Sequence, residues 1–301
     1  MPLRSSLVLL LLKNIPIIGL DLHLTLKRFY MLFICPKCKG KLNIDPKSSA
    51  AKCALGHSYD KSRFGYYNFL LGTSGGTHGD NKEMILARRE FLSRGFYLPL
   101  ASCVAEICES LIENNATVLD IGCGEGYYTS AIRDKCQQKF AHIAAFDISK
   151  DAMRETAKKK CANEYAVASA YHIPVADESV DVIVNTFSPL AKDEVYRSLK
   201  FGGHFVMAIP AEEHLFGLKA AIYDTPYKNE VADTALEGFS LVSKKELRYP
   251  LSLNTDADIR ALFMMTPYAY RTSAAGRERV LALRELKTDA HFLILTYRKE
   301  I

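Results

Sequence analysis

Val118-Leu119-Asp120-Ile121-Gly122-Cys123-Gly124-Glu125-Gly126 decides the fold. An apolar run carrying one carboxylate ends in three alternating glycines, and a helix-like segment, 128 to 135, follows. That is a buried strand, a tight turn and a helix. Glycines in such a turn let a ligand approach the backbone without meeting a Cβ. The spacing is GxGxG. The third glycine of a dinucleotide fingerprint would fall at Tyr127, which counts against NAD or FAD. Asp120 stands two residues before the first glycine and the turn has no lysine, which argues against a phosphate-binding P-loop. Asp147, 25 residues after Gly122, closes AHIAAFD, where a carboxylate can accept both ribose hydroxyls of an adenosine.

Outward from this stretch the chain alternates strands and helices. TVLDI (117–121), AHIAAFDI (141–148), YAVAS (165–169), VDVIVNTF (180–187) and HFVMAI (204–209) read as short buried strands. Helical segments over 128–135, 151–160 and 192–199 separate them, as in a mostly parallel sheet with helices on both faces. The tail predicts helices near 214–223, 256–265 and 275–286, a strand-like FSLVSKKELRYPLSL (239–253) and a closing strand HFLILTY (291–297). Upstream, helices are expected over 82–94 and 99–113, after a glycine-rich linker, GTSGGTHGDN (72–81).

Cys35, Cys38, Cys53 and His57 have ligand spacing, CxxC followed by CxxxH. Three thiolates and one imidazole suit a closed, structural Zn2+ site. A segment this short buries little apolar surface, so metal ligation would supply much of its folding free energy. The five other cysteines are scattered through segments that read as helix or buried strand, which fits a reducing, cytoplasmic compartment.

At 301 residues, 49% hydrophobic and 24% charged, the chain is not a disordered tail, a collagen-like fibre or a disulfide knot. Its net charge of +5 is unevenly divided: +3 over residues 1–30, +5 over 31–72 and −3 over 73–301. Arg4 followed by Leu7 to Leu12 has the outline of a signal peptide, but Lys13 and Asn14 interrupt it. No apolar stretch there reaches the roughly 20 residues that cross a bilayer. Residues 1–30 are expected to be an upstream extension, with Met31 as the start, and no membrane partner is expected.

The glycine turn, Asp120 and Asp147 resemble those of the class I S-adenosylmethionine-dependent methyltransferases, with a Rossmann-like α/β sheet. The resemblance implies that Asp120, Gly122, Gly124 and Gly126 surround the methionine part and ribose, that Asp147 holds the ribose hydroxyls, and that Ala168 and Ser169 flank the adenine. A zinc-ribbon-like module directly before such a domain is similar to the bacterial 23S rRNA guanine-N1 methyltransferases. That likeness runs through GYYNFL (65–70), ARREFL around Arg88 and Arg89, LDIGCGEGYYT (119–129) and MTPYAYR (265–271). It implies that Tyr97, Tyr128, Thr129 and His214 also contact the cofactor. The expected organisation is an extension (1–30), a zinc-binding module (31–72), linker and helices (73–115) and a methyltransferase domain (116–301).

The expected reaction is methyl transfer to N1 of a guanine in a 23S rRNA hairpin loop. N1 lies on the Watson–Crick edge, so the target must be unpaired or extruded. It also bears a proton, so a base is expected; Asp193, Glu194 and His214 are the candidates, and none is singled out by sequence. Asn185 to Pro189 replaces the NPPY-type motif of amino methyltransferases, with Phe187 a candidate stacking surface. Lys37, Lys39, Lys41, Lys52, Lys61 and Arg63 are the candidate phosphate contacts. Arg88 and Arg89 read equally as phosphate contacts or as a solvated helix face. Two other functions fit the same chain: a methyltransferase acting on a small molecule with the zinc module as lid, and a zinc-ribbon RNA-binding protein with an inactive methyltransferase fold. The oligomeric state stays open, a homodimer among the candidates.

Overall fold

The structure, a computed structural model, describes residues 31–70, 79–231 and 234–301. The extension expected over 1–30 and most of the linker expected over 72–81 lie outside these residues.

A small three-stranded antiparallel sheet, β1 (Asn43–Ile44), β2 (Ala51–Lys52) and β3 (Ser58–Tyr59), comes first. The next strand, β4 (Tyr67–Asn68), leaves it and joins the edge of an eight-stranded sheet, in parallel with β7 (Glu164–Val167). The other strands of the large sheet are β5 (Thr117–Ile121), β6 (His142–Asp147), β8 (Val180–Thr186), β9 (Leu199–Pro210), β10 (Phe239–Leu253) and β11 (Leu286–Lys299). Their spatial order is β10-β11-β9-β8-β5-β6-β7-β4. Strands β4 to β9 run parallel, and β11 is antiparallel to both β9 and β10.

Because β6 pairs on one side of β5 and β8 on the other, the chain reverses its direction of progress at β5. A crevice therefore opens beyond the carboxyl end of β5, where open α/β sheets bind ligands. The glycine turn fills that position. The helices are α1 (Lys82–Ser93), α2 (Leu98–Leu111), α3 (Tyr127–Cys136), α4 (Lys150–Lys159), α5 (Lys192–Ser198), α6 (Phe216–Ile222), α7 (Asp256–Met264), α8 (Tyr268–Arg271) and α9 (Ala274–Leu281). Side-chain oxygens of Asn81, Ser149, Thr255 and Ser273 accept first-turn N–H groups and so fix where α1, α4, α7 and α9 begin.

One expected boundary moves. The helix predicted over 275–286 ends at Leu281, and Leu286 opens β11. Leu286 to Asp289 pair with Pro250 to Leu253 of β10, so the gain from sheet pairing overrides local helical preference.

The Cys/His module is built into the large domain's core. Phe33, Leu42, Tyr67 and Phe69 share one apolar cluster with Leu119, Phe146, Ile173 and Val175. The Glu164 carboxylate accepts the backbone N–H groups of Leu32 at 2.7 Å and Phe33 at 3.2 Å, and His142 Nε2 lies 2.7 Å from it. Among the described residues no helix is long and apolar enough to cross a membrane.

Candidate active site

Asp120, next to last in β5, is almost fully buried and accepts a 2.6 Å hydrogen bond from Thr129 Oγ1. Burial raises its carboxyl to a pKa of about 7 against that hydrogen bond, and the nearby Asp147 charge adds to the rise. Asp147, at the end of β6, accepts N–H bonds from Gly124 at 2.9 Å and Ser149 at 2.8 Å. Burial still raises its pKa. Gly122 is required twice over: its φ is +68°, and a Cβ there would fall 2.3 Å from Ser188 Cβ. The turn passes directly beneath the loop that follows β8.

Above the turn lies a cavity of about 650 Å³. One half is walled by Gly122, Gly124, Asp147, Ala168 and Ser169, five of the residues expected at the cofactor. The other half is walled by Thr186 to Pro189, His214, Tyr227, Asn229 and Tyr268, and Tyr97 and Tyr128 also line the cavity. The buried Tyr128 hydroxyl and Thr186 Oγ1 find no hydrogen-bond partner among the described residues, so the cavity presents polar atoms that a ligand can satisfy. Gly126 and Thr129 are off the cavity wall. Gly126 brings α3 against α4, where a Cβ would lie 2.8 Å from Thr156 Cγ2, and Thr129 holds Asp120.

The three candidate bases fare differently. Asp193 is 95% exposed beside Lys192, outside the cavity. Glu194 is tied to Arg197 at 2.8 Å and accepts the Ile173 N–H at 2.6 Å, also outside it. His214 alone lines the cavity. Its Nδ1 accepts the His291 N–H at 3.2 Å, so the proton of the neutral ring is on Nε2, 3.3 Å from the Tyr97 hydroxyl oxygen. Burial, helped by His291 and Lys219, lowers its pKa to about 3. Its one lone pair is already engaged, and this arrangement leaves none of the three as a free base.

Phe187 follows β8 with φ +61°, a conformation costly for a residue with a Cβ, and its ring is 40% exposed on the cavity. The structure also brings to the cavity Arg88, read in the sequence as a phosphate contact or a solvated helix face, and two residues the sequence did not single out. Arg88 of α1 lines the cavity opposite Gly124, bonded to Asp80, whereas Arg89 pairs with Glu155 on the surface. Tyr227 and Asn229 come from the segment after α6. None carries a local pattern; the ARREFL match around Arg88 was the one signal available.

Cys35, Cys38, Cys53 and His57 converge, their ligand atoms all within 4.8 Å of one another. His57 Nδ1 is 3.5 Å from Cys35 Sγ and 3.4 Å from Cys53 Sγ, and Cys38 and Cys53 sulfurs are 3.6 Å apart. Zn–S bonds of about 2.3 Å and Zn–N bonds of about 2.0 Å give tetrahedral edges of roughly 3.5–3.8 Å, so the donors fit Zn2+. Burial opposes a thiolate at Cys35, yet hydrogen bonds from the Tyr59 hydroxyl and the backbone of Cys38 and Lys37 win and lower its pKa to about 6.

The family model described as "Methyltransferase domain" matches residues 112–255. YxjB of Bacillus subtilis, provisionally named a 23S rRNA (guanine-N(1)-)-methyltransferase, is 31% identical over 271 residues, covering 86% of this chain and 93% of YxjB. The 23S rRNA (guanine(748)-N(1))-methyltransferase of Streptomyces fradiae is 28% identical over 237 residues, 76% of this chain and 83% of its own. Among solved structures, a protein of Bacillus halodurans C-125 provisionally assigned as a methyltransferase aligns with a TM-score of 0.44 at 15% identity, over 66% of this chain and 99% of that one.

Proposed function

This chain belongs to the 23S rRNA (guanine-N1)-methyltransferase family, and on that premise we propose that it methylates N1 of an unpaired guanine in a hairpin loop of 23S rRNA. One observation carries the reading: a single cavity joins the glycine turn and Asp147 to a second half faced by Phe187, Tyr227 and Tyr268. The first half suits a nucleoside cofactor and the second a flat, extruded base. Flipped bases are held between aromatic faces in this way.

When bound, S-adenosylmethionine supplies an electrophilic methyl group on a sulfonium. Asp147 would hold the ribose, Ala168 and Ser169 the adenine, and Tyr128 and Arg88 the amino-acid end, where a guanidinium matches a carboxylate. Phe187, Tyr227 and Tyr268 orient the base and exclude water, which is most of what an in-line transfer requires of a protein. His214 keeps its Nε2 proton on Tyr97 and stiffens the wall.

The Cys35, Cys38, Cys53 and His57 site would hold Zn2+ as a structural ion, since all four positions of a tetrahedron are taken by protein donors. Lys37, Lys39, Lys41, Lys52, Lys61 and Arg63 are all exposed, as phosphate contacts must be.

The test is incubation of the full chain with S-adenosylmethionine and 23S rRNA hairpin fragments, followed by nucleoside mass spectrometry and primer extension. N1-methylguanosine and a new extension stop are expected. Methylation confined to another atom, or to small molecules alone, would overturn the reading.

A further inference from the structure

Lys219, in the middle of α6, is 1% exposed. Its ammonium donates to Asn229 Oδ1 at 2.6 Å and to the Tyr227 carbonyl at 3.0 Å, and lies over the Tyr227 ring at 4.3 Å and the Tyr268 ring at 5.6 Å. Among the described residues no carboxylate is within ion-pair distance. Buried lysines are ordinarily paired with a carboxylate, because an uncompensated charge is costly to desolvate. All these partners, Tyr227, Asn229 and Tyr268, form the base-side wall of the cavity.

A tie between α6 and the segment after it needs donors, not a charge. Asn229 is already anchored by its own bonds to the Ala211 and Glu212 carbonyls. A net positive charge kept dry behind a wall is what a negative charge developing on the other side requires. Guanine N1 becomes nucleophilic by losing its proton, and the anion spreads over N1 and O6. The proton goes to solvent, the electron pair left on N1 forms the new N–CH3 bond, and the pair of the broken C–S bond returns to sulfur. The three base candidates offered by the sequence leave this step unassisted. We propose that Lys219 is a positioning residue that sets Tyr227 and Asn229 against the target guanine and, by its unneutralised charge, favours the N1-deprotonated base. This rests on the reading that guanine N1 is the methylated atom.

Among the described residues no neighbouring carboxylate neutralises that charge. Besides Tyr227 and Tyr268, the titratable groups around α6 are His214, bonded to Tyr97; His291 of β11, with Glu246; Asp289 of β11, with Arg248; Arg279 of α9, which pairs with Asp224 and donates to the Ala221 and Ile222 carbonyls at the end of α6; and Arg271 of α8, on the cavity wall. The Tyr223 ring lies tilted against Tyr227, centroids 5.5 Å apart.

Two variants separate charge from structure. Lys219→Gln keeps a donor toward Asn229 or the Tyr227 carbonyl without the charge, and Lys219→Arg keeps the charge. Single-turnover rates on a 23S rRNA hairpin would be measured across pH, with the melting temperature and cofactor affinity of each variant as controls. For Lys219→Gln the expected result is a rate about 10- to 100-fold lower at neutral pH, with the acid limb moved up by about one pH unit so that alkaline buffer restores part of the loss. Lys219→Arg should keep the wild-type limb. An unshifted limb in Lys219→Gln, or a loss equal at every pH, overturns the inference while wild-type N1-methylguanosine leaves the underlying reading intact. Absence of N1-methylguanosine with the wild-type enzyme sinks the reading and the inference together.

Discussion

Tyr97 and His214, 117 residues apart in the chain, meet at 3.3 Å in the cavity wall, and the His291 N–H fixes the other nitrogen of the imidazole. The ring is therefore a neutral brace. Unfolding exposes it to water, where its pKa returns to about 6.5. The folded value of about 3 is lower, so the unfolded chain binds the extra proton between these limits. The stability this gives is fully present above pH 6.5 and lost as pH falls toward 3, at up to about 1.4 kcal/mol per pH unit. Calorimetry of wild type and His214→Gln across pH 4–7 should show the shallower acid dependence in the variant. Parallel curves would contradict the buried neutral ring.

Asp120 works in the opposite sense. Its folded pKa, about 7, lies above the unfolded carboxyl value, so the folded state holds the proton more tightly. Stability from this group is fully present below about pH 4 and declines as pH rises to 7. Asp120→Asn is expected to raise stability at pH 8 by on the order of 2–4 kcal/mol while weakening cofactor binding. Because the cofactor is a cation, its affinity for the wild type should rise with pH through about 7 and stay flat in the variant; titration calorimetry reads both.

Arg88 crosses from α1 to the glycine turn. If it holds the cofactor's carboxylate, Arg88→Ala should weaken S-adenosylmethionine binding by about 10- to 100-fold, the worth of a hydrogen bond to a charged group. Arg89→Ala, whose partner is the surface Glu155, should leave that affinity unchanged.

The metal site and the domain core are expected to fail together. Cys53→Ser should lower zinc content below one equivalent by atomic spectroscopy and depress the melting temperature of the whole chain, because Phe33, Tyr67 and Phe69 belong to the large domain's core. Glu164→Gln leaves the metal ligands intact but removes the carboxylate that holds Leu32 and Phe33. It should cost about 1–3 kcal/mol in urea unfolding with zinc retained.

Phosphate docking on the module predicts salt-dependent affinity. Replacing Lys37, Lys39 and Lys41 together by Gln should weaken RNA binding and reduce the slope of log K against log salt by two to three, since each lost phosphate contact removes about 0.9 or less. An unchanged slope would place docking elsewhere.

What a few adjacent residues impose was legible in the sequence. VLDIGCGEG set strand, turn and helix; Asp147 followed at fixed spacing; CxxC and CxxxH marked four candidate ligands that the structure brings together. These features are legible because a turn or a ligand loop is imposed by a few adjacent residues. The walls contributed from afar emerge from long-range packing alone. Arg88, Tyr227, Asn229 and Tyr268, and Lys219 behind them, carry no periodic signature, and they matter because the reversal of the sheet at β5 gathers their elements over one crevice. The role of His214 was likewise undecidable in sequence, since the backbone N–H that occupies its lone pair belongs to β11, 77 residues away. A side chain's chemistry follows from its protonation and its partners, and for these residues both are fixed by long-range packing.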